Sequence, residues 1–208
     1  MLTLHHLNYS RSIRVLWLLE ELGIKYDLVQ YERDANFRAP SELKAIHPLG
    51  KAPVIVDGDL TLAESASILS YIDGKYGEGR FSPAPNTDAA ALHDEWLQYV
   101  ESSAAFPIMM SSLGKRMGGL PDALAKFAAP EVTKALAYIG TGVGDGPYLM
   151  GDDLALADIQ MSYILSIAEA AGMLADHPGV LAYFERLQER PAFLRAIEIG
   201  GPLRPARR

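Results

Sequence analysis

The stretch HPLGKAPVIVDGDLTLAESASIL, at residues 47–69, decides the fold of this chain. Its alternating apolar and polar residues predict one strand over 53–56 and a second over 60–63, joined by a reversal at Asp57-Gly58-Asp59. Asp-Gly between two such runs is the strongest short-range signal for a β-hairpin. The hairpin leads into a helix that begins at Glu64-Ser65, so it determines where that helix starts.

The start of this helix carries two side chains that suit the end of an amino acid. Unpaired backbone N–H groups and the helix dipole attract an anion there, and Ser65 adds a hydroxyl. The neighbouring carboxylate of Glu64 can hold an ammonium group. A carboxylate and an amine on one carbon, as in a γ-glutamyl group, would satisfy both. For the pair taken alone, however, helix capping by serine is the more common explanation.

Composition and charge narrow the possible functions. The chain has 208 residues, enough for one large domain or two modest ones, and 49% of them are hydrophobic, which predicts a globular protein with a substantial core. A net charge of -7 disfavours nucleic acid or an anionic membrane as the main partner. No apolar run approaches the roughly 18 residues of a membrane-spanning helix, and the N-terminus does not resemble a targeting peptide, so we expect a cytoplasmic protein.

The chain contains no cysteine. Disulfides, thiolate metal sites and any mechanism in which the protein supplies a redox thiol are therefore excluded. If thiol chemistry takes place, the thiol arrives with a ligand. The adjacent His5 and His6 would lie on opposite faces of a strand, which is poor geometry for one metal ion, and we expect no metal site.

The segments before the hairpin complete an α/β domain. Periodicity predicts, in chain order, a strand, a helix, a parallel strand and a short helix over 2–5, 11–22, 25–31 and 40–46. The order βαβ-α-ββα therefore predicts an α/β domain over 1–77. Proline at the entrance of a strand needs a special backbone geometry, and a cis Ala52-Pro53 bond would supply it.

The second half of the chain predicts a helical domain. Glycine, proline and polar residues over 78–88 predict a linker. Helical periodicity alone follows over 89–208, with helices over 89–117, 121–139, 156–171, 178–189 and 191–199. The first of these helices is expected to bend at Pro107, and a loop is expected over 140–147.

Four segments together resemble the cytosolic glutathione S-transferase family. They are SRSIRVLWLLEELG (10–23), HPLGKAPVI (47–55), DGDLTLAESASILSYI (57–72) and the G-D-x-L…A-D pattern from Gly151 to Asp158. The resemblance spans both domains. Within the family, the chain is similar to a bacterial and fungal group that uses a serine or another hydroxyl, and the absence of cysteine excludes the groups that keep a cysteine at the glutathione sulfur. It implies a thioredoxin-like N-terminal domain, an all-α C-terminal domain and a homodimer. Ala155 departs from the family, which usually has Ser or Thr there as a helix cap.

The resemblance also implies which residues contact glutathione as co-substrate. Glu64 and Ser65 match the pair that holds the γ-glutamyl end, and Lys51 matches a residue near the glycyl carboxylate. Ala52-Pro53 matches the family's cis proline, and Ala52 before this proline and Val54 after it match the residues that hydrogen-bond the cysteinyl backbone. The implied glutathione contacts are His47, Lys51, Ala52, Pro53, Val54, Glu64 and Ser65. For His47, a turn histidine without a role is an equally good explanation.

The resemblance implies that a hydroxyl at the start of the first helix activates the glutathione thiol. Ser10 aligns best with this catalytic position, Tyr9 and Asn8 are the alternatives, and Ser10 can equally serve only as a helix N-cap. The electrophile is expected against the first long helix of the second domain. The expected pocket residues are Tyr99, Ser103, Phe106, Met109, Met110 and Leu113, each of which bundle packing or a dimer contact explains equally well.

These implications predict an enzyme of detoxification, a transferase that joins the glutathione thiolate to hydrophobic electrophiles. Two other functions remain open at this point. One is glutathione-dependent peroxide reduction, in which glutathione supplies both thiols because the chain has no cysteine. The other is a non-catalytic glutathione-binding or regulatory protein with the same fold.

Overall fold

The computed structural model describes residues 1–205, which form two compact units. Of the described residues, one unit contains Met1–Ser82 and residues 189–205, and the other is Pro83–Gln188. No helix in the described residues is both long and apolar enough to cross a membrane.

The first unit is an α/β domain with one mixed sheet. Its elements before residue 82 are β1 (Leu2–Leu7), α1 (Ser12–Leu22), β2 (Asp27–Tyr31), α2 (Glu42–Ile46), β3 (Val54–Asp57), β4 (Leu60–Ala63) and α3 (Ser65–Tyr76). The strand order is β2-β1-β3-β4, with β1 and β2 parallel and β3 antiparallel to both of its neighbours. The predicted order βαβ-α-ββα and the predicted hairpin are confirmed.

Helix α1 is the buried centre of this unit. Its five consecutive apolar residues are fully buried: Val15, Leu16, Trp17, Leu18 and Leu19. Such a run covers the whole circumference of a helix, so α1 must contact neighbours on more than one side. The helix ends at Gly23, which has a left-handed φ of 64° and donates its N–H to the carbonyl of Leu19.

The second unit is a helical bundle. It comprises α4 (Asp88–Tyr99), α5 (Ala105–Arg116), α6 (Asp122–Val143), α7 (Leu156–Ala170) and α8 (Pro178–Gln188). Helix α7 lies at the centre, since Ile159, Met161, Ile164 and Leu165 are all fully buried. The prediction of a nearly all-apolar central helix is confirmed.

The helix predicted over 89–117 is divided shortly before Pro107, the residue at which a bend is expected. The irregularity lies earlier, where a π-helical turn at Val100–Ala104 separates α4 from α5. At the end of this turn the N–H of Ala105 bonds to the carbonyl of Val100, five residues before it. Proline clashes with the carbonyl four residues before it, and the wider turn directly upstream relieves that conflict.

The predicted helix end near Ile139 is wrong. Helix α6 continues to Val143, so the loop expected over 140–147 begins only at Gly144. Gly142 lies so close to Trp96 that a Cβ at this position would overlap the indole ring. Glycine here serves close packing within the bundle, which sequence periodicity does not distinguish from a loop signal.

The final helix belongs to the first unit. Helix α9 (Pro191–Gly200) packs on α1, where the rings of Phe193 and Trp17 meet edge to face with their centroids 5.1 Å apart. The expected all-α domain covers 89–208, whereas in the structure α9 packs on α1 and is grouped with the first unit.

The carboxylate of Asp158 fastens a loop to the start of α7. It is fully buried. Its Oδ1 accepts hydrogen bonds from the N–H of Leu149 at 2.9 Å and the hydroxyl of Tyr183 at 2.7 Å, and its Oδ2 accepts one from the N–H of Ala155 at 2.8 Å. Because the side chain of Ala155 has no acceptor, only the Asp158 half of a capping box is made.

A second carboxylate joins the hairpin to the end of α3. The Oδ2 atom of Asp57 accepts hydrogen bonds from the hydroxyls of Tyr71 and Tyr76 at 2.8 and 2.7 Å and from the Nζ of Lys75 at 2.7 Å. The bond from Lys75, followed by those from the two tyrosines, lowers the pKa of Asp57 to about 2.

Asp57→Asn is expected to lower the free energy of unfolding at neutral pH by about 1–3 kcal/mol, as is usual when hydrogen bonds to a charged group are lost. The pKa of Asp57 is lower in the folded chain than its ordinary value of 3.8, so its stabilisation is present above that value and is lost as the pH falls toward about 2. Denaturant unfolding at several pH values measures the difference, which should shrink on acidification. The exposed Asp59→Asn in the same turn is the control, and a difference that does not change with pH would contradict this assignment.

Candidate active site

Most of the glutathione contacts and catalytic residues predicted from sequence meet at one edge of the sheet. In the antiparallel pairing of β1 with β3, His5 lies opposite Val54, and in the pairing of β3 with β4, Val54 lies opposite Ala63. The end of β1, the beginning of β3 and the end of β4 are therefore neighbours. The segment after β1, the residues before Val54 and the Glu64-Ser65 pair all leave the sheet at this edge.

A buried arginine lies beneath the start of α3. Arg14 of α1 is fully buried, and its terminal NH1 donates a hydrogen bond to the Oγ of Ser65 at 3.2 Å. The guanidinium adds a full positive charge to the partial positive charge of the helix N-terminus. Together they make the surroundings of Ser65 favourable to a carboxylate. Sequence reasoning missed this role of Arg14, although a single cation within an otherwise apolar helix is a signal for it.

Glu64 occupies a strained backbone position next to Ser65. Its φ is 71°, in the left-handed region that costs a residue other than glycine about 1–3 kcal/mol. Its side chain is exposed, whereas Ser65 is buried. The carboxylate is therefore available to a ligand directly beside the helix start.

The turn before β3 has the geometry expected for it. The Ala52-Pro53 bond is cis, as the sequence predicts. Pro53 and Val54 are buried, and Lys51 is exposed. His47 closes the preceding turn, since its carbonyl accepts the N–H of Gly50 at 2.9 Å.

An arginine after β2 holds the segment that follows β1. Arg33 donates to the carbonyls of Asn8 at 2.9 Å, Tyr9 at 2.8 Å and Phe37 at 2.9 Å. The ring of Tyr9 stacks on that of Phe37, with centroids 6.0 Å apart, and the Nδ2 of Asn8 donates to Glu32 at 2.6 Å. The side chains of Asn8 and Tyr9 thus have partners within this unit. Arg33 is a second residue that sequence reasoning missed.

Ser10 is buried at the entrance to α1, where 7% of its surface is exposed. Its Oγ accepts the N–H of Ser12 at 3.2 Å and lies 2.7 Å from the Oγ of Ser12. The first of these contacts joins Ser10 to the first residue of α1, whose N-cap is Arg11. The second shows that the hydroxyl is part of a buried hydrogen-bond network.

The six residues expected to form an electrophile pocket all belong to the second unit but do not form one group. The hydroxyl of Tyr99 donates to the carbonyl of Ala135 at 3.2 Å, and burial raises its pKa to about 12, so this side chain takes part in packing between α4 and α6. Ser103 is exposed in the π-helical turn. The remaining four follow helical spacing along α5: Phe106, Met109, Met110 and Leu113. All of them except Met110 have 39–61% of their surface exposed.

The two adjacent histidines of β1 have different partners. The Nδ1 of His5 lies 2.9 Å from the hydroxyl of Tyr31, and the Nε2 of His6 lies 2.8 Å from the carbonyl of Gly200. Within residues 1–205, no cluster of three or more His, Asp or Glu side chains could hold a metal ion.

Two family models match the chain. The first, described as "Glutathione S-transferase, N-terminal domain", matches residues 1–74. The second, described as "Glutathione S-transferase, C-terminal domain", matches residues 115–195.

Known proteins are similar to the chain over nearly its whole length. Glutathione S-transferase 1 of Saccharomyces cerevisiae is 30% identical, and the match covers 95% of this chain and 94% of the yeast protein. A crystal structure of a glutathione S-transferase from Actinobacillus pleuropneumoniae is 36% identical, with a TM-score of 0.88 over 98% of this chain and 95% of that one. A structure of glutathione S-transferase-I bound with lactoylglutathione is 26% identical, with a TM-score of 0.74 over 95% and 99% of the two chains.

Proposed function

The chain belongs to the glutathione S-transferase family and has its fold, and we propose that it joins the thiolate of glutathione to hydrophobic electrophiles. The observation that carries the proposal is the meeting of the α1 entrance, the cis proline and the Glu64-Ser65 pair at one sheet edge. An amino-acid end, an extended backbone and a thiol are the three parts of a ligand that this edge would accept.

The residues at this edge suit each part of glutathione. Ser65, the first turn of α3 and the buried charge of Arg14 suit the γ-glutamyl carboxylate, and the exposed Glu64 suits its ammonium group. The cysteinyl backbone would lie beside Ala52, Pro53 and Val54. The glycyl carboxylate would lie near Lys51, with His47 in the adjoining turn.

Ser10 is the residue to which we assign stabilisation of the thiolate. A free thiol has a pKa of about 8.5, so a hydrogen-bond donor and a helix N-terminus that lower this pKa by about two units would leave most of the bound thiol ionised at neutral pH. Tyr9 and Asn8 are less suitable, because the ring of Tyr9 stacks on Phe37 and the amide of Asn8 bonds to Glu32.

The apolar face of α5 supports a hydrophobic electrophile as second substrate. Phe106 and Leu113 expose 61% and 54% of their surfaces, and Met109 exposes 39%, so this face offers a deformable apolar wall. Ser103, exposed in the π-helical turn before α5, would add a polar group, whereas the hydroxyl of Tyr99 is bonded to the carbonyl of Ala135. A homodimer in the cytoplasm is part of the same proposal.

The test is turnover of the purified protein with glutathione and two sets of second substrates, aryl halides and activated alkenes in one and organic hydroperoxides in the other. We expect conjugation of electrophiles, reduced at least about tenfold in Ser10→Ala, since loss of a donor to the developing charge usually costs that much or more. Ser41→Ala, which removes an exposed serine before α2, is the control and should retain full activity.

The other outcomes separate the competing functions. Turnover of hydroperoxides without any conjugation would identify a peroxidase. Binding of glutathione without turnover of either set would identify a non-catalytic protein. Either result would contradict the proposed conjugation.

A further inference from the structure

A buried chain of hydrogen bonds runs from Ser10 into the fold. The Oγ of Ser10 lies 2.7 Å from the Oγ of Ser12, which lies 2.9 Å from the Nδ1 of His6. The other ring nitrogen of His6, Nε2, lies 2.8 Å from the carbonyl of Gly200. Ser12 and His6 expose 0% and 1% of their surfaces. One histidine thus connects the entrance of α1 with the end of α9.

The direction of each hydrogen bond follows from the carbonyl at the end. The carbonyl of Gly200 can only accept, so the Nε2 of His6 carries a proton. In a neutral imidazole the Nδ1 atom is then an acceptor, and Ser12 donates its one proton to it at 2.9 Å in preference to the carbonyl of Leu7 at 3.2 Å. The Oγ of Ser12 therefore accepts the proton of Ser10. Every proton in the chain points inward, from Ser10 toward His6.

Burial favours the neutral form of His6, and groups around it stabilise its protonated form. Burial lowers the pKa of His6, whereas the bond to Gly200 and the charge of Glu32 act in the opposite direction. Gly200 is the last residue of α9, where the helix dipole favours a positive charge. The hydroxyl of Ser12 in α1 contacts His6. Among the described residues, Glu32 is the charged side chain that raises the pKa of His6. His6 is thus a base that has no role in the function proposed above.

Building on the proposed conjugation, we propose that His6 is the terminal acceptor of the thiol proton and receives it through Ser10 and Ser12. Ser10 takes the thiol proton as its own proton passes to Ser12, and the proton of Ser12 passes to the Nδ1 of His6. One S–H bond breaks, one N–H bond forms, both serines keep one proton each, and no electron is transferred. When the sulfur–carbon bond has formed, the proton on Nδ1 leaves with the displaced anion or to water.

This transfer reverses the two hydrogen bonds that link Ser10, Ser12 and His6 without moving a heavy atom, while His6 continues to donate from Nε2 to Gly200. His6 then donates from Nδ1 to Ser12, Ser12 donates to Ser10, and Ser10 donates outward to the sulfur anion. The buried hydroxyl of Ser10 therefore becomes the donor that a thiolate needs only once His6 has been protonated. Ser12 and His6 are positioning residues in this scheme, since neither touches the sulfur.

The experiment compares thiolate formation with proton release when glutathione is added at neutral pH. The thiolate is followed by its ultraviolet absorbance, and protons are followed with an indicator dye in weak buffer. Wild-type protein is expected to form thiolate while releasing far fewer protons than thiolates. The amide of His6→Gln keeps one donor and one acceptor group at this position, but it takes up no proton. We expect its thiolate fraction to fall about tenfold and every remaining thiolate to release one proton.

His5→Gln is the matched control, because His5 is the neighbouring histidine of β1 but bonds to Tyr31. It should behave as wild type does. One proton released per thiolate in the wild type, or unchanged behaviour of His6→Gln, would overturn the relay while leaving conjugation intact. Absence of any thiolate in the wild type would overturn both proposals.

A second measurement covers the case in which His6→Gln does not fold. In ¹⁵N spectra of the wild-type protein, the Nδ1 of His6 should change from an unprotonated to a protonated signal when glutathione binds. An Nδ1 signal that stays unprotonated while thiolate forms would overturn the relay.

Discussion

Asp158→Ala is expected to lower the free energy of unfolding by about 3–5 kcal/mol, because three buried donors lose their acceptor at a cost of about 1–3 kcal/mol each. The donors are the N–H groups of Leu149 and Ala155 and the hydroxyl of Tyr183. Burial raises the pKa of Asp158 above its ordinary value, although the hydrogen bonds it accepts act in the opposite direction. Denaturant unfolding of the variant and the wild type measures the loss.

Two variants make this test specific to the buried network. Asp153→Ala removes an exposed carboxylate from the same loop and should change stability by less than about 0.5 kcal/mol. Asp158→Asn keeps one acceptor oxygen and should lose less than Asp158→Ala. Equal effects of the alanine variants at positions 153 and 158 would show that the network does not carry the stability assigned to it.

Ser65→Ala is expected to weaken glutathione binding about 10- to 100-fold. A hydrogen bond to a charged group is worth about 1.5–3 kcal/mol, and each 1.4 kcal/mol corresponds to a factor of ten in the dissociation constant. The variant removes the hydroxyl at the start of α3 and the partner of the Arg14 guanidinium. Isothermal titration with glutathione measures the change.

Ser70→Ala is the control for this prediction, since it removes an exposed hydroxyl from the same helix. Its affinity for glutathione should equal that of the wild type. If Ser65→Ala bound glutathione as tightly as Ser70→Ala does, Ser65 would serve only as the partner of Arg14 and not as a ligand contact.

The features of the first unit that depend on local chemistry are predictable from sequence. The hairpin follows from the reversal at Asp57-Gly58-Asp59, in which Asp57 pairs with Leu60 and Gly58 has a positive φ. The end of α1 follows from Gly23, which takes the left-handed φ that other residues avoid. The register of the hairpin then places the cis proline beside Glu64 and Ser65. This part of the site is predictable because neighbouring segments of the chain form it.

The supporting residues are not predictable from local patterns, because long-range contacts determine their roles. Arg14 meets Ser65 across 51 positions of the sequence, and His6 meets Gly200 across 194. For His6, strand alternation predicts only that it faces away from His5. The same reason applies to α9, since its periodicity predicts a helix but not that α1 is its partner.

The second unit shows the same limit at its glycines and prolines. Gly142 resembles a loop residue in sequence, but contact with Trp96 keeps it inside α6. Pro107 is a reasonable candidate for a bend, but the irregularity in the helix lies one turn earlier, in the π-helical turn at Val100–Ala104. In both places packing within the bundle overrides a local preference.

The most direct test of the proposed site is a crystal structure of the protein with glutathione. We predict that the γ-glutamyl carboxylate lies on Ser65, that its ammonium group lies beside Glu64, and that the sulfur lies within hydrogen-bonding distance of the Oγ of Ser10. Glutathione bound away from this sheet edge, or with its sulfur out of reach of Ser10, would contradict the site proposed for this transferase.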